Sequence, residues 1–410
     1  MPAIEGPVET ETIPRPAVFL HTGWRTAGTW LWSRFRALPW VQAYHEPLHE
    51  ILGSITPASL SLTHPDTWDS GHPSSLGPYY HEYAALLRPA GGVGGFHPSF
   101  STEDFFADAE QDQPALRAYL QGLIDQAVAR GRQPVMKFCR SLGRVAWMRR
   151  NFPLAVHVVL LRNPATQFES ARRYLARRAN AYFLAMPCAI LLRHRALPQV
   201  ADVLGLLGAR LPALPSAASQ DDVLRASVAW IEAVEPEQRY RMFLAFWLLC
   251  VLRLPDCIHG LLDGDQLVLL PRYRARAGAD LVAATGLPVT VGDTRPALTL
   301  PDGIGVAAAD AWRGHQVAAM LMAARHGADW GGTPIGAAVA AMLAHADLVV
   351  SPDAAAVPTE TLTPLAYLQR LQVRADAVRA ELAAMQTAHA WGAITSDQWV
   401  ADCLDALANS

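Results

Sequence analysis

At 410 residues, with hydrophobic residues at 51% and charged residues at 17%, the chain can bury a large core and is too apolar for wholesale disorder. A net charge of −3 argues against a general polyanion binder or a basic membrane-surface protein, so neither nucleic acid nor membrane is an expected partner. Five cysteines, at 139, 188, 250, 257 and 403, lack metal-ligand spacing and read as buried thiols of a reducing compartment.

Residues 1–15 are polar and acidic, with neither a basic n-region nor an apolar h-region. They are expected to form a tail ahead of a cytoplasmic domain. The apolar run Ala17-Val18-Phe19-Leu20 has strand length and leads through His21-Thr22-Gly23-Trp24-Arg25-Thr26-Ala27 into a helical pattern. Ala27, Leu31, Phe35 and Leu38 carry that pattern. A turn opening into a helix presents unpaired N–H groups and the positive end of the helix dipole, which suits an anion. Gly23 and Gly28 have the spacing of a Walker A loop, but Thr29 and Trp30 replace its lysine and its magnesium-binding hydroxyl. The cation sits instead at Arg25, inside the loop. Such a loop is expected to hold a phosphate-like group without a metal.

A second short strand is expected at 41–44, and Pro47 ends its pairing. Glu46 then stands at a strand's carboxyl end, where ligands bind in open α/β sheets, with His45 and His49 beside it. The stretch 52–110 loses periodicity and is rich in Pro, Gly, His and aromatics, as a functional lid or a floppy insertion would be. Its histidines lack metal-binding spacing, so no metal site is expected. A helix at about 113–130 precedes a strand at 134–138, in which Lys137, the one lysine of the chain, faces the same crevice. A helix at 142–151 follows, then a buried strand at 155–161. Arg162-Asn163-Pro164 ends that strand and starts a helix, with Ser170 eight residues after Arg162.

Beyond 180 the chain reads as mostly helical; the apolar run Met242–Leu252 is too short to span a bilayer and reads as a buried helix. Residues 265–270 read as another buried strand, followed by Tyr273 and a helix near 278–285. Arg325 to Trp330 reads as a helix end and a turn, and 301–357 as helical in parts. Apolar residues at 368, 371, 375, 378, 382 and 385 form a heptad-like stripe that would dock on the domain or pair two copies as a homodimer.

The loop Arg25-Thr26-Ala27-Gly28-Thr29-Trp30 resembles the 5′-phosphosulfate loop of sulfotransferases that use PAPS (3′-phosphoadenosine 5′-phosphosulfate), with Ala27 and Gly28 departing from the usual residues. Arg162 and Ser170 resemble the family's 3′-phosphate motif in order and spacing. The resemblance covers about residues 16–290. It implies a three-layer α/β fold, P-loop-like, around a parallel sheet, with a helical insertion and a helical C-terminal extension over 301–410. It also implies sulfuryl transfer from PAPS to a hydroxyl, or an amine, of a small-molecule, glycan or peptide acceptor. Arg25, Thr26, Ala27, Gly28 and Thr29 would hold the phosphosulfate, Trp30 would stack on adenine, and Arg162 with Ser170 would bind the 3′-phosphate. The family's strand-end histidine is Cys139 here, so the base has to come from elsewhere. Glu46, its pKa raised by burial, is the expected base beside Lys137, with His45 and His49 as competitors. The rival readings are an inactive PAP-binding protein of the same fold and an atypical P-loop kinase.

Overall fold

A computed structural model describes residues 16–292 and 304–350, apart from 69, 71, 73, 215–217, 257, 328 and 329. Five strands, β1 (Val18–Thr22), β2 (Val41–His45), β3 (Gln133–Phe138), β4 (Val156–Leu161) and β5 (Gly260–Asp263), form one all-parallel sheet in the order β2-β3-β1-β4-β5. Apart from the start of β5 their residues are buried, as expected when helices cover both faces. Along β4 the sides alternate. Val156, Val158 and Leu160 meet one core, whereas Val159 and Leu161 meet the other.

The first core is completed by α1 (Gly28–Arg36), α2 (Pro114–Val128) and α10 (Pro271–Thr285), through Leu31, Phe35, Leu120 and Leu281. The second receives α4 (Pro164–Arg178) and α8 (Pro236–Leu252), through Phe168, Leu244 and Leu248. The fold is therefore the expected three-layer α/β arrangement. Between β4 and β5 the chain adds α5 (Tyr182–Arg193), α6 (Pro198–Leu207) and α7 (Gln220–Ala233), which with α8 make the helical insertion. From Met242 to Leu252 every residue of α8 is buried, so that apolar run is the spine of the second core. Of the described helices, none is long and apolar enough to cross a membrane. After β5 come α11 (Ala308–His326) and α12 (Pro334–Val349), whose Met322, Val339 and Leu343 join the second core. The tail and the 368–385 stripe lie outside the described residues.

Residues 264–269 correct one expectation, since they form helix α9 (Gly264–Leu269) and not a strand. The strand is the preceding Gly260–Asp263, and the Asp263 carboxylate accepts from the N–H groups of Asp265 and Gln266, turning the chain into a helix at once. An apolar run of this length suits a buried strand or a buried helix equally, so periodicity did not separate them. Tyr273 lies inside α10, where its hydroxyl accepts from the Asp263 N–H. The 142–151 helix starts as a 3₁₀ turn and continues as α3 (Val145–Asn151).

In the strand order β1 is flanked by β3 and β4, and the chain leaves it in both directions. A crevice therefore opens at the carboxyl ends of β1 and β4, where ligands bind in such sheets. The irregular 52–110 stretch is pinned over the β2 end of this crevice by its hydroxyls and those of α2. Tyr83 donates to the His45 carbonyl (3.1 Å), Tyr119 to Pro47 (2.9 Å) and Ser101 to Leu48 (2.7 Å).

Inside the sheet His21 and His157 lie edge to edge in nearly parallel planes, ring centroids 5.3 Å apart, with His21 Nε2 3.0 Å from His157 Nδ1. His157 Nε2 must donate to the Phe152 carbonyl (3.1 Å), so neutral His157 accepts from His21, which in turn accepts from Ser141 (2.8 Å). The bond between the rings needs His157 neutral, because a protonated His157 would offer no acceptor to the His21 N–H. Burial holds His21 well below the ordinary 6.5 and His157 at about 4. Both native pKa values are depressed, so the stabilisation is complete above pH 6.5 and is lost as pH falls toward 4. Each histidine contributes a slope of up to about 1.4 kcal/mol per pH unit. Thermal melts between pH 7.5 and 4.5 should show the melting temperature falling steeply below about pH 6; a flat profile would contradict the neutral ladder.

Candidate functional site

The loop after β1 is built to stay open. Thr22 Oγ1 donates to the Phe138 carbonyl (2.9 Å), tying β1 to β3 at their ends. Thr26 Oγ1 donates to the Gly23 carbonyl (2.8 Å), and Gln167 Nε2 to the Trp24 carbonyl (2.8 Å). These bonds hold Arg25 and Ala27 in the left-handed region, at φ 65° and 66°, where residues with a Cβ are strained. Ala27 N-caps α1 without a side-chain bond, and the first turn carries no acidic residue, so the helix end offers its N–H groups to a ligand. At Gly28 a Cβ would stand 2.6 Å from Thr22 Oγ1 and 2.9 Å from Lys137 Cε, so a glycine there lets the Lys137 stem pass beneath the loop.

A cleft of about 650 Å³ opens above this loop. It brings together Arg25, Ala27, Gly28 and Thr29 from the loop with Glu46, Lys137, Arg162 and Ser170. Thr26 and Trp30 are not in its wall. The Thr26 hydroxyl is engaged inside the loop, and the Trp30 ring is covered by the Arg34 guanidinium at 5.5 Å and packs with the first core.

The end of the cleft at β1 and β4 is cationic. Arg25 Nε donates to Ser170 Oγ (3.1 Å), and its guanidinium lies over the rings of Tyr174 and Phe183, at 5.3 and 5.0 Å. No carboxylate among the described residues pairs with it. Burial and the nearby Arg162 both pull its pKa down, so two guanidiniums face one space with incomplete neutralisation. Arg162 is aimed by Asp265, whose Oδ1 accepts from Nε at 2.7 Å. Asp265 also accepts from the Asn163 backbone and side chain and from Thr166, fixing the β4–α4 junction.

At the β2 and β3 end the carboxylate differs from expectation. Glu46, at φ 46°, accepts from Lys137 Nζ (2.5 Å), the Cys139 N–H (2.9 Å) and Arg140 (3.3 Å). Burial alone would raise its pKa, but Lys137 and Arg140 outweigh burial and hold the carboxyl far below its usual range. It is an ionised hub, where the sequence led us to expect a carboxyl made basic by burial. The register pairs His45 with Lys137, which brings Glu46 and the ammonium together.

Sequence reasoning also missed Arg140, whose buried guanidinium bridges Glu46, Glu50 (2.7 Å) and the Tyr182 hydroxyl. The available signal was its place in Cys139-Arg140-Ser141, after a strand end as Arg162 is. Three imidazoles of the wall are neutral. Burial, then Lys137, hold His45 well down; burial, then Arg140, hold His49 at about 4. His49 Nδ1 accepts from the Ile51 N–H (3.2 Å), which puts the proton of the neutral ring on Nε2 and makes it a donor. His72 Nδ1 lies 2.6 Å from the Tyr79 hydroxyl, which also meets Ser70 Oγ at 2.8 Å. Burial, then Lys137 and Arg25, hold His72 at about 4, so it stands within the field of both cations.

No protein-family model matches this chain, and neither a curated protein nor a solved structure does so. The geometry of the loop makes its own prediction. Ala27→Gly relieves a left-handed alanine and should raise stability by about 0.5–1 kcal/mol. Gly28→Ala forces a methyl against Thr22 and Lys137 and should cost about 1–3 kcal/mol. Paired urea melts of the two variants would check both signs.

Proposed function

We propose that the protein is a sulfotransferase that moves the sulfuryl group of PAPS to an acceptor hydroxyl and releases PAP (adenosine 3′,5′-bisphosphate). The observation that carries this reading is the convergence on one cleft of an uncapped helix N-terminus, Arg25 without a carboxylate partner, and the Arg162/Ser170 pair. The α1 N–H groups and Lys137 would stabilise charge on the phosphate oxygen as its bond to sulfur breaks. Arg162 and Ser170 would hold the 3′-phosphate, which would take the Ser170 hydroxyl over from Arg25 and free that guanidinium for the phosphosulfate. Glu46 would position Lys137 and Arg140 through its three bonds.

The base in this reading is His72. With Nδ1–H donated to Tyr79, and Tyr79 donating to Ser70, its Nε2 is left as an acceptor in the wall of the cleft. Burial, then Lys137 and Arg25, lower its pKa, and an anionic nucleotide would neutralise the two cations and so raise its basicity. The acceptor proton would pass to His72 only when the donor is in place.

Nucleotide choice is the direct test. PAP should bind far more tightly than ADP or ATP without magnesium, and Arg162→Ala should remove the preference, because a charge-assisted contact is worth about 1.5–3 kcal/mol. Calorimetry giving equal affinities, or a strict need for Mg²⁺, would overturn the reading. The roles of the acid–base groups separate in a second experiment. His72→Asn should lower kcat by about 10²–10⁴-fold with PAP affinity retained. Glu46→Gln should instead lower the melting temperature, because it leaves Lys137 and Arg140 short of a buried countercharge. Full turnover in His72→Asn, with loss in His45→Asn or His49→Asn, would move the base.

A further inference from the structure

The half of the cleft away from Arg162 has an unusual lining. Trp68 stands 5.5 Å from the Tyr79 ring, 5.9 Å from Tyr80 and 6.1 Å from His49, and His49 lies nearly parallel to Tyr182 at 6.4 Å. These rings form a continuous aromatic wall. Most of its polar groups already have partners within the protein; the exceptions are the buried Tyr80 hydroxyl and the His49 Nε2–H. The Tyr79 hydroxyl is held by Ser70 and His72, and the Tyr182 hydroxyl by Glu50 and Arg140. The carboxylates Glu46 and Glu50 are neutralised by Lys137 and Arg140. Asn180, the one side-chain amide in the wall, has its carbonyl on the Tyr182 N–H (2.9 Å).

Resting on the sulfotransferase reading, the geometry points to a small planar aromatic alcohol, of one or two fused rings, as the acceptor. Reading a sugar ring takes several free carboxylates, amides or hydroxyls aimed at its hydroxyls, and here the carboxylates and most of the hydroxyls are engaged. A glycan chain or a peptide also needs room. One cleft of about 650 Å³, a volume that suits a single drug-sized ligand, has to hold the nucleotide and the acceptor together. What an incoming molecule meets is π surface, on which a flat ring stacks in offset or edge-to-face geometry.

The chemistry agrees with the walls. The acceptor oxygen forms a new bond to sulfur, the bond from sulfur to the phosphate oxygen breaks, its electron pair stays on PAP, and the acceptor proton leaves to His72. Nothing is oxidised or reduced. A phenolic hydroxyl ionises near pH 10, within reach of an imidazole, whereas an alkyl or sugar hydroxyl lies nearer water at about 15.7 and asks for a stronger base. The one carboxylate beside the reacting space is occupied by three donors.

The experiment uses the full chain with PAP bound and three probes: 2-naphthol, its saturated analogue decahydro-2-naphthol, and N-acetylglucosamine. Titrations followed by calorimetry should show 2-naphthol binding at least tenfold more tightly than either other probe, and with PAPS it should yield the sulfate ester. Trp68→Ala should weaken 2-naphthol at least tenfold with PAP affinity unchanged, and Trp68→Phe should restore most of it. If PAP binds but N-acetylglucosamine or the saturated alcohol is preferred, or if Trp68→Ala leaves 2-naphthol binding intact, the acceptor class is wrong while the sulfotransferase reading stands. If PAP itself fails to bind in preference to ADP, that reading falls, and this inference falls with it.

Discussion

The site depends on the buried contact between Glu46 and Lys137. A carboxylate and an ammonium this far from water are stable only as a pair with their remaining bonds filled, and the Cys139 N–H and Arg140 supply that completion. The contact couples three elements. Glu46 directly follows β2, Lys137 is the penultimate residue of β3, and the lysine stem lies against Gly28 at the start of α1. The Glu46 N–H also donates to the Lys137 carbonyl (2.8 Å), so backbone and side chain close the same junction. A lysine buried beneath the β1–α1 loop needs a fixed countercharge, and Glu46 is that partner.

A second balance governs the other end of the cleft. Arg25 and Arg162 repel one another, and Asp265 offsets one charge of the two. The remaining positive charge lies on Arg25, which the structure shelters between two aromatic rings and a hydroxyl. An anion entering the cleft would supply the countercharge that the protein leaves out. This is why an electrically modest chain, at a net charge of −3, still presents a local cationic site.

Much of this was legible in the sequence because it lies in local patterns. Strand-length apolar runs ending in small or capping residues gave β1, β3 and β4, and the spacing of Arg162 and Ser170 placed both on one wall. The β5 region was misread because Asp263 acts through its cap, and an apolar run of six residues does not say which structure it adopts. The pKa of Glu46 was misjudged for a different reason. Its partners lie 91 and 94 residues away, and burial with partners and burial without them shift a carboxyl in opposite directions. Arg140 and His72 went unassigned because their meaning comes from side chains brought in by β2, α5 and the 52–110 stretch.

The C-terminal extension, which no motif explained, connects to the same chemistry through one amide. Asn163 caps α4 by accepting from the Thr166 N–H, and its side-chain NH₂ has two protons to place. One goes to Asp265 (2.8 Å) and the other to His345 Nδ1 on α12 (3.0 Å). Burial holds that imidazole at about 4, so it is neutral and able to accept. The carboxylate that aims Arg162 and the helix that closes the second core therefore share a partner. An extension attached only by apolar packing would have little effect on the orientation of a guanidinium across the core. Through Asn163, α12 helps fix the arginine on which discrimination of the 3′-phosphate is proposed to rest.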